Sequence, residues 1–302
     1  MKVLVTGASG FLGGRLTKAL HQHPDYEVLA VSRNLRRHQE FTELGIDFRP
    51  GDLMDDDFAK EVLLSVDHVV HCAALSSPWG TYAAFFDANV RLTSQLMHLG
   101  AESGILRFVY ISTPSLYFDY TDRLNIRESD PLPRRFVNAY AETKFKAERF
   151  VLSRNGLSGE TISLRPRAII GAEDGVLFPR LMRAYETGRL RIIGDGTNQA
   201  DFTCVRNLID AIICALKADV SACGQAYNIS NGQPVNLWDE VNYLFEAMGL
   251  APVQKKVPYA IARNLARVLE AKSRWLGGGE PKLTQYGVGV MAKSFSLNIE
   301  RA

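Results

Sequence analysis

Apolar residues in the first half of the chain fall into short continuous runs: Lys2–Thr6, Val28–Ser32, Ile46–Arg49, His68–Cys72, Phe108–Ser112 and Thr161–Arg165. Strands buried on both faces read this way, because neither face meets water. Segments of helical period lie between them, notably Phe11–His21, Tyr82–Ala101 and Asn138–Ser153. Such alternation predicts a parallel sheet covered by helices on both sides and joined by right-handed crossovers. After Pro166 the rhythm loosens. Short strands are predicted around Arg191–Ile193 and Asp201–Val205, separated by the turn Gly194–Asn198. A helix at Asn207–Lys217, a strand at Gln225–Ile229, helices at Leu237–Met248 and Tyr259–Leu276, and a strand-like Phe295–Ile299 follow. The fold class is α/β, a doubly wound parallel sheet with a smaller C-terminal lobe. The main domain is expected over 1–166, with 206–230 returning to it, and the lobe over 167–205 and 231–302.

Composition narrows this little. At 302 residues and 46% apolar content the chain can bury a large core. Its 35 basic and 33 acidic side chains nearly balance, so no clustered basic face calls for nucleic acid. Cys72, Cys204, Cys214 and Cys223 show neither CxxC pairing nor metal spacing, and are read as reduced thiols of a cytoplasmic protein. His68 and His71, three apart on a strand, point to opposite faces, so no metal site is expected. No apolar run reaches the roughly 20 residues of a membrane span, and no leader is read ahead of the strand that begins at residue 2. Tyr259–Leu276 intersperses Ile261, Leu265, Val268, Leu269 and Trp275 with Arg263, Arg267, Lys272 and Arg274. That basic amphipathic pattern suits a helix packed on its lobe, a lid, or peripheral contact with a membrane surface without insertion.

Chemistry enters with Gly7-Ala8-Ser9-Gly10-Phe11-Leu12-Gly13, which follows the first strand and opens a helix. There the glycines allow a tight turn, close approach to a pyrophosphate and close helix–strand packing, with the phosphates on the positive helix end. This makes 1–166 a Rossmann dinucleotide-binding domain. Gly7, Ser9, Gly10, Phe11, Leu12 and Gly13 are its cofactor-binding candidates. The second strand ends at Val31-Ser32-Arg33-Asn34, with Arg36 and Arg37 behind it. A basic residue there suits the 2′-phosphate of NADP(H), whereas NAD(H) usually meets an acid. NADP(H) is therefore favoured and NAD(H) kept open. Asp52, beside Leu53 at the end of the third strand, is placed to accept from the adenine amino group or to cap the following helix. Cys72, Ala73 and Ala74 end the fourth strand with small side chains that let a nucleotide lie close.

Tyr140 and Lys144 stand four apart in Asn138–Lys144 and share one helix face. A tyrosine near pKa 10 is a poor base at neutral pH, and a neighbouring ammonium would lower that value. The preceding strand ends in the hydroxyl-rich run Ile111-Ser112-Thr113-Pro114-Ser115-Leu116-Tyr117, at the carboxyl end of the sheet where such folds bind ligands. Trp79 and Tyr82, in the Pro/Gly loop after the fourth strand, either wall a pocket or anchor the loop.

This ordered set, TGxxGxxG at Thr6–Gly13, Ser112-Thr113 and YxxxK at Tyr140–Lys144, resembles the extended short-chain dehydrogenase/reductase family over essentially the whole chain. The resemblance implies Tyr140 as acid/base, Lys144 as the group that orients the ribose, and Thr113 as the hydrogen-bond partner of the substrate oxygen. It also implies that Asn89 supports a water relay to Lys144, and that Arg165 and Pro166 border the cofactor. Leu164–Ile169, Ile193–Gly196 and Asp201–Thr203 are similar to 3β-hydroxysteroid dehydrogenases and 2-alkyl-3-oxoalkanoate reductases, which implies ketone/secondary-alcohol chemistry on an apolar small molecule. Cys204 and Arg206 depart from the usual Tyr and Asp, and Phe118 replaces a usual Gly, which suggests a more apolar rim. Pro114-Ser115 stand where sugar-nucleotide dehydratases carry Asp-Glu, so a dehydratase is not expected. A nucleotide-sugar epimerase with tightly bound NAD is the alternative, supported if Arg167 and Arg206 share a pocket. A redox-sensing binding protein is a third reading. The family implies a homodimer through Tyr82–Ala101 and Asn138–Ser153.

Overall fold

The computed structural model describes residues 1–302. Its first half runs β1 (Lys2–Thr6), α1 (Phe11–His21), β2 (Glu27–Ser32), α2 (His38–Glu43), β3 (Asp47–Pro50), α3 (Asp56–Leu63) and β4 (His68–His71). Then come α4 (Tyr82–Phe86), α5 (Leu92–Glu102), β5 (Arg107–Ile111), β6 (Arg123–Ile126), α6 (Ala139–Ser153) and β7 (Glu160–Pro166). The single helix predicted over Tyr82–Ala101 is two, joined by a π turn at Asp87–Arg91. That wider turn displaces Asn89 from regular helical register, a departure common near functional sites.

Seven strands form one parallel sheet in the order β3-β2-β1-β4-β5-β7-β12, with β12 at Gln225–Ile229. Chain order reverses between β1 and β4, so a crevice opens at their carboxyl ends. The sheet is covered on both sides. Leu12, Leu16 and Leu20 of α1 join Leu208 and Ile212 on one face, while Val62, Leu96, Met97 and Val151 cover the other.

The remaining elements are β8 (Ile169–Ile170), α7 (Leu177–Glu186), β9 (Ile192–Ile193), β10 (Gln199–Ala200), β11 (Thr203–Cys204) and α8 (Val205–Lys217). After β12 come β13 (Val235–Asn236), α9 (Leu237–Ala247), β14 (Lys256–Val257), α10 (Tyr259–Trp275), α11 (Gln285–Ala292) and β15 (Phe295–Leu297). A second sheet has the order β13-β10-β15-β6, so β6, from within 1–166, is built into the lobe. In α10 the small residues Ala262 and Ala266 are buried, while Ile261, Leu265 and Val268 are more than half exposed and Trp275 is 90% exposed. The inner side of α10 is given to Ala262 and Ala266 against Val288 of α11, and to buried Glu270, which accepts from the Gln285 amide and side chain (2.7 Å each); the large apolar stripe faces solvent.

One buried ion pair joins α6 to β7. Glu148 accepts from Arg165 at Nε (2.9 Å) and Nη2 (2.5 Å) and from the Ser163 hydroxyl (2.9 Å), and Arg165 also donates to the Tyr117 hydroxyl. Removing one partner strands a charge in a dry interior. Glu148→Gln is expected to cost about 3–5 kcal/mol in urea unfolding, and Glu148→Leu combined with Arg165→Met less than that. A loss below about 1 kcal/mol for the single change would mean the pair contributes little net stability.

Candidate active site

The turn after β1 is built so that only glycine fits. Gly7 has φ 67° and an added Cβ would lie 2.9 Å from the Ala73 backbone, while one on Gly13 would lie 2.4 Å from the Gly7 carbonyl. Three backbone segments thus touch at the mouth of the crevice. Gly10 caps α1 without a side chain, and the first turn carries no acidic residue. The free N–H groups of that turn are therefore open to an anion, as a dinucleotide requires. Half-buried Phe11 and buried Leu12 start the helix, and the Ser9 hydroxyl lies 2.6 Å from that of Ser32, fastening the turn to β2. The Ala73 amide donates to Thr6 Oγ1 (3.1 Å), which is 2.8 Å from His71 Nδ1; His71 Nε2 meets Thr93 at 3.0 Å. Burial, with Lys144 nearby, pushes His71 down to about 3, so it is neutral. Burial pushes the Cys72 thiol up to about 12, so it stays protonated. Ala74 is exposed and Leu53 buried.

On the adenosine side, Arg33 is 73% exposed, with Nη1 3.6 Å from Asp52 Oδ2. Asp52 Oδ1 accepts from the Met54 amide (3.0 Å), and Asp55 rather than Asp52 caps α3. Arg37 is unavailable to a phosphate: it packs against Gly14 and is committed to Glu40 (2.8 Å) and Glu173 (2.6 Å). Against its partial burial, Lys18, Arg37 and Arg15 hold Glu173 at about 2.

Asn138 caps α6 through its side chain, which accepts from the Ala141 amide at 2.8 Å. The inner face of the helix then carries Tyr140 and Lys144 to the end of β5. Lys144, 2% exposed, donates to the Ile111 carbonyl at 2.6 Å and lies 4.1 Å over the Tyr110 ring. Burial lowers it to about 7, with Glu148 and Cys72 pulling the other way. Burial raises the Tyr140 phenol above its ordinary value, opposed by the hydroxyls of Thr113 and Ser76. The expected lowering of Tyr140 by Lys144 is therefore not found, because the ammonium is turned to the Ile111 carbonyl and is itself only weakly held charged. Thr113 Oγ1 donates to Ser115 Oγ at 3.0 Å, and Ser115 Oγ lies 2.8 Å from the Tyr286 hydroxyl. Asn89 binds the Leu75 amide (2.8 Å) and carbonyl (3.3 Å) and Thr143 Oγ1 (3.1 Å). It locks the loop after β4 to α6 and makes no direct bond to Lys144.

Residues 3–230 match the NAD dependent epimerase/dehydratase family. The chain belongs to that family. Relatives run the length of it: a 2-alkyl-3-oxoalkanoate reductase of Stenotrophomonas maltophilia is 36% identical, covering 95% of this chain and 88% of its own. Uncharacterized protein YbjS of Escherichia coli (strain K12) is 35% identical, covering 100% and 91%. The UDP-glucuronic acid 4-epimerase of Bacillus cereus, solved in complex with NAD, superposes with a TM-score of 0.74 at 25% identity, covering 85% of this chain and 87% of its own. The protein is thus an enzyme of the extended short-chain dehydrogenase/reductase type with a Rossmann sheet.

Within this family member several residues lie elsewhere than the sequence suggests. Arg165 faces inward to Glu148 and Tyr117, so its guanidinium cannot border a cofactor, whereas the neighbouring Pro166 ends β7 at the crevice. Arg206 is exposed in the groove between α1 and α8 with Arg15, Lys18 and Asp210, while Arg167 is buried; the two do not share a pocket. Phe118 is buried against Tyr120, Tyr286 and Phe295 rather than at a rim. The Tyr82 hydroxyl engages Glu142 and Lys146 on the outer surface, and Trp79 lies under Arg274 of α10, 5.3 Å away. Tyr286 carries no sequence signal, since only the fold brings α11 to Ser115.

Lys144 also sets a pH signature. The folded value of about 7 lies below the ordinary 10.5, so the folded protein releases this proton before the unfolded chain does. Its destabilising contribution is full below about pH 7 and fades as pH rises from there toward 10.5. Urea unfolding across that range is expected to show wild type gaining on Lys144→Met as pH rises. Parallel profiles would mean that the ammonium is fully compensated.

Proposed function

We propose that the enzyme is an NADP(H)-preferring oxidoreductase that interconverts a secondary alcohol and a ketone on a largely apolar small molecule, β-keto/β-hydroxy or 3β-hydroxysteroid-like. The observation that carries this reading is the placement of Tyr140, Thr113 and Lys144 at the carboxyl end of β5, separated from β1 and its glycine cradle only by β4. Named relatives support it: besides the reductase above, a 3-beta-hydroxysteroid dehydrogenase of Mycolicibacterium neoaurum is 32% identical over 82% of this chain.

Gly7, Ser9, Gly10, Phe11, Leu12 and Gly13 would hold the pyrophosphate, Arg33 the 2′-phosphate, Asp52 and Leu53 the adenine, and Cys72, Ala73, Ala74 and Pro166 the remaining nucleotide. When bound, the nicotinamide supplies or takes up the hydride. Thr113 turns its hydroxyl from Ser115 to the substrate oxygen. Tyr140, held neutral by burial, gives its proton to that oxygen in reduction and recovers it in oxidation. Lys144 orients the ribose, and a value near 7 lets it hold and release a proton at neutral pH. Asn89 keeps α6 in place for both. The epimerase alternative loses its motivating feature, because a diphosphate needs converging cations and Arg206 lies away from Arg167. A pure redox sensor would have no use for the Tyr140–Thr113 pair.

Tyr140→Phe is expected to lower turnover of an apolar ketone about 10²–10⁴-fold while leaving cofactor affinity unchanged; wild-type turnover would overturn the mechanism. Arg33→Ala is expected to weaken NADPH about tenfold relative to NADH, a charge-assisted hydrogen bond's worth. An unchanged ratio, or near-stoichiometric NAD⁺ released on denaturing fresh protein, would overturn the NADP(H) preference; the released NAD⁺ would favour the epimerase.

A further inference from the structure

Four arginines are buried, and three of them have anions. Arg37 has Glu40 and Glu173, Arg107 has Glu160 and the carbonyls of Ala215 and Leu216, and Arg165 has Glu148. Arg167, 8% exposed, has none. Its guanidinium lies against the Phe295 ring, 4.5 Å from the centroid, and makes no hydrogen bond. Nε is sealed from solvent without a partner, whereas the two terminal nitrogens are not sealed. The nearest acid that acts on it, Asp201, forms no ion pair with it. One Asp201 oxygen accepts from the Leu297 amide at 2.9 Å, and the other is itself unpartnered.

The backbone around Arg167 is clamped as firmly as its side chain is free. Its amide donates to the Ile229 carbonyl (3.0 Å), and its carbonyl accepts from the Thr203 hydroxyl (2.5 Å). The next residue, Ala168, sits at φ 38°, a region alanine rarely adopts and one that costs energy to hold. The chain thus spends strain and desolvation to present a lone cation just past the carboxyl end of β7. Burying most of a cation without an anionic partner costs free energy. The Phe295 ring beneath that cation packs 6.0 Å from the Phe118 ring, which meets the Tyr286 ring edge-on at 5.9 Å. The Tyr286 hydroxyl in turn continues the chain Thr113–Ser115–Tyr286.

We propose that Arg167 is an anion subsite of the substrate pocket, and that the substrate carries a carboxylate close to the reacting carbon, as in a β-oxo or β-hydroxy acid. A carboxylate matches the planar fork of a guanidinium and carries the single charge that one cation can balance. This rests on the oxidoreductase reading: the β-oxo acid takes a hydride from NADPH and a proton from the neutral Tyr140 phenol, leaving the β-hydroxy acid with its carboxylate intact.

The test compares a long-chain 2-alkyl-3-hydroxy acid with its methyl ester on wild type, Arg167→Met and Arg167→Lys. Wild type is expected to favour the acid in kcat/KM. Arg167→Met should lose about 100-fold on the acid, mostly in KM, and change little on the ester, with Arg167→Lys between. Equal losses on both substrates, or none, would overturn the proposal. Calorimetric binding of the acid to the NADP⁺-loaded protein separates it from the reading beneath. Binding to wild type but not to Arg167→Met, without turnover of either compound, would sustain the subsite and sink the oxidoreductase reading. Acid bound no better than ester by wild type would sink the subsite alone. Ligand-free Arg167→Met should melt no lower than wild type, since it removes an uncompensated charge; a drop of several degrees would make Arg167 a structural partner of Asp201 and overturn the proposal.

Discussion

An ammonium group inside a protein stays charged only where oxygen atoms surround it, and Lys144 is given just one, the Ile111 carbonyl. The obvious carboxylate, Glu148 one turn further along α6, is taken up by Arg165 and Ser163. Much of the surrounding structure serves to hold Lys144 there. Asn138 starts the helix, Asn89 grips Thr143 beside it, and the Glu148–Arg165 pair binds the helix to β7. The result is a group near neutrality on a helix that is fastened both to the sheet and to the loop after β4. Rigid placement and incomplete compensation together make it useful.

The same distinction sorts the other buried charges. Arginines with complete partners sit between elements and hold them together: Arg107 joins β5 to α8, and Arg165 joins β7 to α6. Charges left incomplete, Lys144 and Arg167, both lie at the carboxyl end of the sheet. An interior desolvates all of them alike. Only a group with a partner still to come repays that cost elsewhere than in stability.

The sheet was legible because its strands are buried on both faces and so read as continuous apolar runs. The cradle was legible because contact between Gly7 and Ala73 forbids any side chain. The Tyr140–Lys144 pairing follows from helical spacing alone. What escaped depends on partners distant in sequence. Nothing in Asp87–Arg91 announces a π turn, which local residues tolerate but tertiary packing selects. The strand β6 pairs with β15 across more than half the chain, so no local pattern assigns it to the lobe. Arg165 and Arg167 are two residues apart with opposite fates, because one meets Glu148 and the other the apolar ring of Phe295. In α10 the amphipathic pattern is real but inverted: helical period reveals that one face is apolar, not which way that face turns.

That inversion and the placement of Tyr286 have a common origin. Tyr286 reaches Ser115 from α11, and α10 lies close against α11 with Ala262, Ala266 and the Glu270 carboxylate between them. The large side chains of α10 are thereby turned outward. The lobe's packing thus brings one phenol to the hydroxyls that follow β5. The lobe and the sheet meet at the polar chain Thr113–Ser115–Tyr286. Apolar contacts hold the two parts together around it, at Phe118, Phe295 and Ile126. In the function proposed above, the junction is the specificity element: the sheet would contribute the proton and the oxygen-binding hydroxyl, and the junction the charge.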